Sequence, residues 1–395
     1  MTSVDNIKTI VVIGAGTMGR EIAQVSLMGG FESVILFDIN KEALNNAVDF
    51  IKRGISKMEA KGKLGEGILT IDLMEKLIIE TDMVKAVKDA DFVIEAVPEI
   101  MKLKQEIFEK LGKFAPEHAI LTTNTSTMSI SEISSTSGRE HNVVGMHFFT
   151  PIPVLRLIEI IKGKKTSDNA IEITVAVGKK LPALKGKRVL PIIQKESPGF
   201  IVNRLTIACN LYINWLLDYA VEKDIPFEQI DADIGDLQEF GPFTRLDYLG
   251  LDVVYNVMKY FENAISYEFT PGKTLTKCVS NGNLGKKTGR GLFEWKNGMP
   301  VRDKSVKAGI FNTEIFLAIQ LNEGCRLLIE EIVSDYREID DAMMAGMNMP
   351  GPFGPGKRNY VKWAKMLEDF VIESNIQYLK PCELMKSGGF LKMRK

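Results

Sequence analysis

The amino-acid sequence predicts an α/β chain: a doubly wound, mostly parallel sheet with an inserted helical hairpin, followed by an all-α region made of two related helical repeats. Strand and helix patterns alternate over residues 1–195, which is typical of a parallel sheet with both faces covered. Strand signals then disappear after the Ser-Pro-Gly at 197–199, and short motifs beyond it recur about 110 residues apart. We therefore expect three domains, at 1–195, 196–298 and 299–395.

The first strand leads into a glycine-rich turn. The apolar run Thr9–Ile13 precedes Gly14-Ala15-Gly16-Thr17-Met18-Gly19, and a helical pattern follows at once. In a Rossmann-type βαβ unit, Gly14 allows the tight turn, Gly16 lets the backbone approach a pyrophosphate, and Gly19 lets the helix pack on its strand. The free N–H groups around Met18 and the helix dipole favour a phosphate. The turn therefore predicts a dinucleotide site, with a purely structural glycine turn as the alternative.

Asp38 closes the second predicted strand, Ser33–Phe37. At this distance from the turn, a carboxylate accepts hydrogen bonds from the ribose hydroxyls. Because an acid there also repels a 2′-phosphate, the sequence favours NAD over NADP.

The next segment predicts the helical hairpin, since Lys41–Ala60 has helical periodicity and Lys61–Gly67 breaks it. The remaining strands of the sheet are predicted at Leu77–Ile79, Phe92–Val97, Ala119–Thr123, Val143–Phe148, Leu155–Ile161 and Val189–Ile193, with a helix at Asp168–Lys180.

The C-terminal half contains helical patterns, at Phe200–Val221 and Leu249–Phe261, and repeated motifs. Gly-Pro-Phe occurs at 241–243 and 351–353, and Ile-Asp precedes it at 230–231 and 339–340. Short matches arise by chance, but their shared order and offset favour a duplicated helical domain.

Composition limits the class of protein. The 395 residues carry a net charge of −1 and are 45% hydrophobic, which argues against a nucleic-acid-binding protein with a basic surface. No apolar run has the length of a membrane span, and the N-terminus lacks the pattern of a secretion signal. The four cysteines are scattered, which indicates reduced thiols in a cytoplasmic protein and no metal site.

Among the three histidines, His147 is the candidate for chemistry, because it lies near the end of an apolar strand, where ligands bind in open α/β sheets. Glu159 interrupts the next apolar strand, and a buried carboxylate needs a partner. A paired imidazole would be a general base near neutral pH. A core histidine and a glutamate bonded to backbone explain the spacing equally well.

Two further strand ends carry polar residues. Thr122–Ser126 follows one strand, and Glu95 and Glu99 flank Pro98 at another. Both fit a ligand crevice, and both also fit an ordinary helix cap or a solvated helix start.

Taken together, these segments resemble the L-3-hydroxyacyl-CoA dehydrogenase family from Ile10 to about Trp295. The resemblance rests on segments in family order: the glycine turn at 14–19, Val93-Ile94-Glu95-Ala96-Val97-Pro98-Glu99, Asn124-Thr125-Ser126, Gly145-Met146-His147-Phe148-Phe149, Ser197-Pro198-Gly199-Phe200-Ile201-Val202-Asn203-Arg204 and Gly285-Lys286-Lys287-Thr288-Gly289-Arg290-Gly291.

The resemblance implies a role for each matching residue. His147 would take the proton of the substrate 3-hydroxyl, and Glu159 would orient and polarise its ring. Ser126 and Asn203 would bind the 3-oxygen and nearby groups, in a cleft between domains. The residues implied to contact NAD, besides the glycine turn and Asp38, are Glu99, Lys104 and Lys287.

The hairpin would hold the coenzyme A end of the substrate. Lys57, Lys61 and Lys63 form a basic cluster there that suits its phosphates, although a solvated lysine face is an equal alternative.

The chain departs from the family pattern at two positions. Thr150 stands where the family usually has an Asn that contacts the cofactor, so that contact is weakened or made by a hydroxyl. Gly54 stands where members often carry a Ser that contacts coenzyme A.

The resemblance implies an NAD-dependent dehydrogenase that interconverts (S)-3-hydroxyacyl-CoA and 3-oxoacyl-CoA. Single-copy relatives dimerise through the helical domain, so a second copy predicts a monomer with an internal pseudo-dimer, with a homodimer as the alternative. Two competing functions remain: a dehydrogenase of this fold acting on a free, gulonate-type hydroxy acid, and a nucleotide-binding protein without catalysis.

Overall fold

The computed structural model describes residues 6–235 and 240–393, which form two compact units. The first unit contains the described residues through Val202 together with Glu330–Gly351. The second contains Asn203–Ile329 and the described residues from Pro352 onward. Part of the predicted third domain therefore packs within the first unit, and the division into three domains stays a prediction.

The first unit is built on one sheet of eight strands. Their bounds are β1 Thr9–Ile13, β2 Ser33–Phe37, β3 Leu77–Glu80, β4 Phe92–Glu95, β5 Ile120–Thr123, β6 Val143–Phe148, β7 Ile158–Ile161 and β8 Ile192–Ile193. The order across the sheet is β3-β2-β1-β4-β5-β6-β7-β8. Every neighbouring pair is parallel except β6 and β7. The predicted mostly parallel sheet is confirmed.

The helices of the chain are, in order, α1 Thr17–Met28, α2 Lys41–Glu59, α3 Thr70–Met74, α4 Met83–Val87, α5 Met101–Phe114, α6 Ile130–Ser134, α7 Asp168–Lys180, α8 Val202–Glu222, α9 Phe227–Ala232, α10 Pro242–Leu249, α11 Leu251–Ala264, α12 Lys273–Ser280, α13 Thr313–Ile329, α14 Tyr336–Met347, α15 Phe353–Ser374 and α16 Glu383–Ser387. The first seven and α14 belong to the first unit.

The central strands are buried because helices cover both faces of the sheet. In β1, Ile10 through Ile13 are fully buried, and such continuous apolar runs are typical of parallel strands. The inserted hairpin consists of a 19-residue α2 and a five-residue α3. Helix α2 packs on α1, and its buried residues such as Leu44, Ile51 and Ile55 belong to the hydrophobic core of this unit.

Four strands are shorter than predicted: β4 ends at Glu95 rather than at Val97, β5 begins at Ile120 rather than at Ala119, and β7 and β8 are also shorter. β7 begins at Ile158 rather than at Leu155, and Leu157 before it makes an isolated bridge to Val189. β8 contains only two residues. Pro191 precedes it, and proline has no N–H to continue the ladder.

The second unit is helical except for a hairpin of β9 Glu294–Lys296 and β10 Met299–Val301. The predicted all-α C-terminal region is therefore wrong at this point. Asn297 and Gly298 connect the strands with φ of +52° and +77°, as a two-residue type I′ turn requires. The Asn-Gly pair is a hairpin signal that the helical interpretation of this half passed over.

In the described part of the chain, no helix is both long and apolar enough to cross a membrane. The same residues contain no group of three or more His, Cys, Asp or Glu side chains that could hold a metal ion.

Candidate active site

The glycine turn between β1 and α1 has the geometry that its sequence predicts. Gly14 has φ +103°, and a Cβ there would lie 2.8 Å from the Ala96 carbonyl oxygen. A Cβ at Gly19 would lie 1.8 Å from the Gly14 oxygen, so only glycine lets α1 approach the turn. A Cβ at Gly16 would meet nothing within 4 Å, which leaves open space above this backbone.

Helix α1 also has an uncapped N-terminus beside that open space. No side chain caps it, and its first turn contains no acidic residue. The first N–H groups of a helix have no partner within the helix, so a phosphate can accept hydrogen bonds from them. The turn is therefore able to hold a pyrophosphate.

Asp38 lies directly after β2 and is half-buried. Its carboxylate accepts hydrogen bonds from the backbone N–H of Ala15, at 2.8 Å, and of Asn40, at 2.9 Å. These bonds fix the carboxylate beside the glycine turn. Each oxygen keeps a lone pair for a hydroxyl donor such as a ribose.

An ion triad organises the ends of β4 and β5, with Lys104 and Glu95 buried and Glu99 exposed. Lys104 is 1% exposed, and its Nζ lies 2.7 Å from Glu95 Oε1 and 3.2 Å from Glu99 Oε2. Glu99 in turn accepts hydrogen bonds from the Thr125 hydroxyl and, at 2.9 Å, from the backbone N–H of Ser126. Lys104 therefore holds Glu99, and Glu99 holds the loop that carries Ser126.

The hydroxyl of Ser126 makes no hydrogen bond with any described residue, so it is available to a ligand. Asn124 lies in the same loop and connects it to β6, because its side-chain oxygen accepts a hydrogen bond of 2.9 Å from the Phe148 N–H. Ser126 thus follows the carboxyl end of β5, and His147 lies at the carboxyl end of the neighbouring parallel strand β6.

His147 and Glu159 form a buried pair. The two residues lie directly opposite each other in the antiparallel β6–β7 ladder, where facing Cβ atoms are about 5 Å apart. His147 Nδ1 lies 2.7 Å from Glu159 Oε2, and the two residues are 4% and 0% exposed. The contact between His147 and Glu159, which their spacing in the sequence could not decide, is therefore present.

The second oxygen of Glu159 has its own donors. Oε1 accepts hydrogen bonds from the backbone N–H groups of Ile201, at 3.1 Å, and Val202, at 3.0 Å. The carboxylate of Glu159 thus has two amide donors at Oε1 and the imidazole at Oε2. When Nδ1 carries the ring proton and donates it to Oε2, Nε2 of His147 keeps a free lone pair. Nε2 makes no hydrogen bond with any described residue.

Two aromatic rings flank the imidazole of His147. The ring centroid of Phe149 lies 4.4 Å away, and that of Phe200 lies 5.7 Å away. Both rings pack close to the imidazole, which leaves it little room to rotate. Neither ring was predicted from the sequence to have this role.

The structure shows the surroundings of Thr150 and Gly54, the two positions at which the chain departs from the family pattern. The Thr150 hydroxyl donates a hydrogen bond of 3.1 Å to Glu21 Oε2. The same oxygen accepts a hydrogen bond of 2.6 Å from the backbone N–H of Ile152. The Thr150 hydroxyl proton is thus used within the protein. At Gly54, a Cβ would lie 2.6 Å from the side-chain oxygen of Gln24, so Gln24 occupies the space beside this glycine.

Sequence analysis missed Glu21, which is buried in α1 and anchors the loop after β6. The available signal was a charged residue directly before Ile22 and Ala23, at the start of the buried part of α1.

The remaining predicted site residues are Lys61, Asn203 and Lys287. Lys61 and Lys63 are exposed in the segment after α2, and Lys57 is exposed in the last turn of that helix. Asn203 lies in the first turn of α8 and is half-buried, as the first residue of the second unit. Lys287, also in the second unit, forms an ion pair of 2.5 Å with Asp252. Their predicted ligand contacts stay predictions.

Residues 9–192 match the family model of the 3-hydroxyacyl-CoA dehydrogenase NAD binding domain, and residues 199–295 match that of the 3-hydroxyacyl-CoA dehydrogenase C-terminal domain.

The human mitochondrial hydroxyacyl-coenzyme A dehydrogenase is 36% identical over 299 residues, which cover 73% of this chain and 92% of that protein. A probable 3-hydroxybutyryl-CoA dehydrogenase of Bacillus subtilis is 33% identical and covers 73% of this chain and 98% of its own length. The crystal structure of 3-hydroxybutyryl-CoA dehydrogenase from Escherichia coli K12 is similar over almost the whole chain, with a TM-score of 0.80, 26% identity and coverage of 98% and 99%.

Proposed function

The chain belongs to the 3-hydroxyacyl-CoA dehydrogenase family, and on this premise we propose that it catalyses the NAD-dependent oxidation of an (S)-3-hydroxyacyl-CoA to the 3-oxoacyl-CoA, and the reverse reaction. The observation that carries the proposal is the buried His147–Glu159 pair, with Nδ1 and Oε2 2.7 Å apart and Nε2 left free.

In this mechanism His147 is the general base. Its Nε2 takes the proton of the substrate 3-hydroxyl, and the Glu159 carboxylate stabilises the imidazolium that forms. In the reverse direction the imidazolium returns the proton to the 3-oxygen. The free hydroxyl of Ser126 and the side chain of Asn203 bind this oxygen and orient it.

The residues of the glycine turn fit the cofactor, because the space above Gly16 is open and the N-terminus of α1 is uncapped. Gly14, Gly16, Met18 and Gly19 would hold the pyrophosphate and Asp38 the adenosine ribose. Glu99, held by Lys104, and Thr150 and Lys287 would make further contacts. NAD held by these residues would supply the hydride acceptor for C3 of the substrate.

The direct test is to measure NADH oxidation with acetoacetyl-CoA and, in parallel, with free oxo acids of sugars. We expect turnover with the thioester alone. Turnover with the free acids alone would favour a non-CoA hydroxy-acid dehydrogenase, and NADH binding without turnover of any substrate would favour a binding protein.

Asp38→Ala is expected to raise KM for NAD about ten- to a hundredfold, with little change of kcat at saturating NAD. The reason is the loss of hydrogen bonds from the ribose hydroxyls to a charged acceptor, which contribute about 1.5–3 kcal/mol. The variant should also discriminate less against NADP, because the charge that repels a 2′-phosphate is gone. Initial-rate kinetics with both cofactors measure this.

Asp91→Ala is the matched control. The Asp91 carboxylate also accepts two backbone N–H groups, those of Lys8 at 2.8 Å and Thr9 at 2.9 Å, but at the opposite end of β1. The Asp91→Ala substitution should lower the stability of the protein and leave KM for NAD unchanged. An equal rise of KM in both variants would contradict a ribose contact at Asp38.

The same family membership supports a proposal about assembly, namely a monomer with an internal pseudo-dimer. In the second unit, equivalent elements begin about 110 residues apart. They include the short helical turns Tyr267–Phe269 and Gln377–Leu379, and the helices α12 and α16 that follow them.

The two equivalent turns contact each other, as the two copies of one surface do across a twofold axis. Glu268 accepts hydrogen bonds from the N–H of Gln377, at 2.7 Å, and of Tyr378. The rings of Phe269 and Tyr378 pack with centroids 4.9 Å apart. These contacts use a surface that a second protein chain would otherwise need.

A buried ion cluster joins the first helix of each copy. Arg204 of α8 donates to Glu323 of α13 at 2.5 Å, and Arg326 lies 2.9 Å from the other oxygen of Glu323. Burial raises the pKa of Glu323, but the two arginines outweigh burial and hold the pKa below its usual value. Such a desolvated cluster supports a permanent interface between the copies.

Sedimentation at micromolar concentration is expected to give the mass of one 44.1 kDa chain. A dimer at that concentration would contradict the pseudo-dimer proposal without affecting the proposed activity.

A further inference from the structure

Helix α14 belongs by sequence to the C-terminal part of the chain, yet it packs within the first unit. Hydrogen bonds along its length attach the segment that contains it. The Arg156 N–H donates to the Ala345 oxygen at 3.1 Å, and the Gln194 N–H donates to the Ile332 oxygen at 3.0 Å. Lys185 Nζ lies 3.1 Å from Asn348 Oδ1, just after the C-terminus of α14.

Helix α14 approaches Leu157 closely at Gly346, in its last turn. A Cβ at this position would overlap Leu157, with 2.6 Å to Cδ2 and 3.3 Å to Cβ, and would make an ordinary van der Waals contact with Phe149, 3.5 Å from its Cδ1. Glycine is a much poorer helix former than alanine, and here the lack of a Cβ permits a contact that alanine would prevent. Leu157 is fully buried, so it has little room to move aside.

The two residues that Gly346 contacts are neighbours of the predicted catalytic pair. In the β6–β7 ladder His147 faces Glu159 and Phe148 faces Ile158, so the next position places Phe149 opposite Leu157. Side chains two residues apart in a strand lie on the same face. Phe149 and Leu157 therefore continue the row formed by His147 and Glu159, and the Phe149 ring packs 4.4 Å from the imidazole.

We propose that Gly346 is a positioning residue for the reaction: by letting α14 approach Leu157 and Phe149, it sets the orientation of the His147 ring. The expected change in kcat rests on the proposed function. The expected change in the orientation of the His147 ring does not. The C-terminal part of the chain thereby supports the chemistry of the nucleotide-binding unit.

The first test is Gly346→Ala, read by NMR. The chain has three histidines, so their ring resonances can be separated. Because the Phe149 ring shifts the resonances of the His147 ring, displacement of Phe149 should move them. The resonances of His118 and His141 should stay in place.

Gly356→Ala is the matched control. Gly356 lies in α15 of the second unit, and a Cβ there would lie 2.9 Å from Leu321 Cδ1. The two substitutions introduce the same kind of overlap between a helical Cβ and a leucine. Gly356→Ala should change thermal stability and leave the His147 resonances, kcat and the pH dependence of kcat as in the wild type.

The kinetic test separates positioning from cofactor binding. Gly346→Ala should lower kcat about tenfold or more, since small misplacements of a catalytic group reduce rate strongly. It should also change the pH dependence of kcat and leave KM for NAD unchanged. Adding Leu157→Val removes the overlapping Cδ2 atom and should restore most of the lost kcat.

Unchanged His147 resonances and unchanged kcat in a folded Gly346→Ala protein would overturn the proposal. If that variant does not fold, Leu157→Ala tests the same contact from the other side, and unchanged His147 resonances in it would overturn the proposal equally. A wild-type protein without activity on acyl-CoA would remove the proposed function, whereas the NMR result would still decide the role of Gly346.

Discussion

His147→Ala is expected to lower kcat for oxidation of 3-hydroxybutyryl-CoA by about 10²–10⁴-fold, the usual contribution of a general base. Without the imidazole, the 3-hydroxyl has no acceptor for its proton as hydride leaves C3. Because the glycine turn and Asp38 are untouched, KM for NAD should change little. Steady-state kinetics at saturating NAD measure both quantities.

His118→Ala controls for the general effect of removing a paired histidine. His118 Nε2 also lies 2.9 Å from a carboxylate oxygen, that of Asp91, but its side chain is 50% exposed. We expect kcat of this variant to equal that of the wild type. Near-normal turnover by His147→Ala would remove His147 from the mechanism.

Glu159→Gln is expected to lower kcat of oxidation by at least about 10²-fold, through the tautomer of His147. The N–H groups of Ile201 and Val202 donate to Oε1, so the amide oxygen of the glutamine will stay with them. Its NH₂ group then faces Nδ1 of His147 and forces Nδ1 to accept. The ring proton moves to Nε2, and the base is lost at the atom that faces the substrate, as in the neutralisation of a triad carboxylate.

The pH dependence of kcat should change in the same variant, because the imidazolium has lost its countercharge. Asp247→Asn is the matched control in the second unit. Asp247 is also a fully buried carboxylate, and it accepts two backbone N–H groups, of Leu292 and Phe293, and a ring N–H, of Trp295. The Trp295 ring does not titrate, so an altered pH profile in both variants would argue against a specific effect at His147.

The fold of the first unit was predictable because local patterns encode it. Continuous apolar runs predicted the strands, and the conformational requirements at Gly14 and Gly19 predicted the turn. Strands β7 and β8 are shorter than the predicted strands that begin at Leu155 and Val189. A turn precedes β7, and Pro191 precedes β8, and each interrupts the hydrogen bonding of the ladder. The β9–β10 hairpin was missed although Asn297 and Gly298 signal it, because helical periodicity dominated the interpretation of that half.

The candidate site was predictable only in part. His147 and Glu159 were selected from their places in apolar strands, but their spacing alone left a core histidine and a backbone-bonded glutamate open. The antiparallel register of β6 and β7 settles their contact. Burial of Lys104 between two carboxylates had no signal in the sequence, since a lysine at the start of a helix is ordinarily solvated.

By itself, the sequence determined the class of the fold, the nucleotide turn and the acid that follows the second strand, because each depends on residues close together in the chain. Tertiary structure alone decided that His147 meets Glu159, that Glu21 anchors the loop after β6, and that Gly346 approaches Leu157 and Phe149. The physical reason is that an apolar pattern specifies which face of a strand or helix is buried. Which partner that face meets depends on register and topology, and these are set only when distant segments pack.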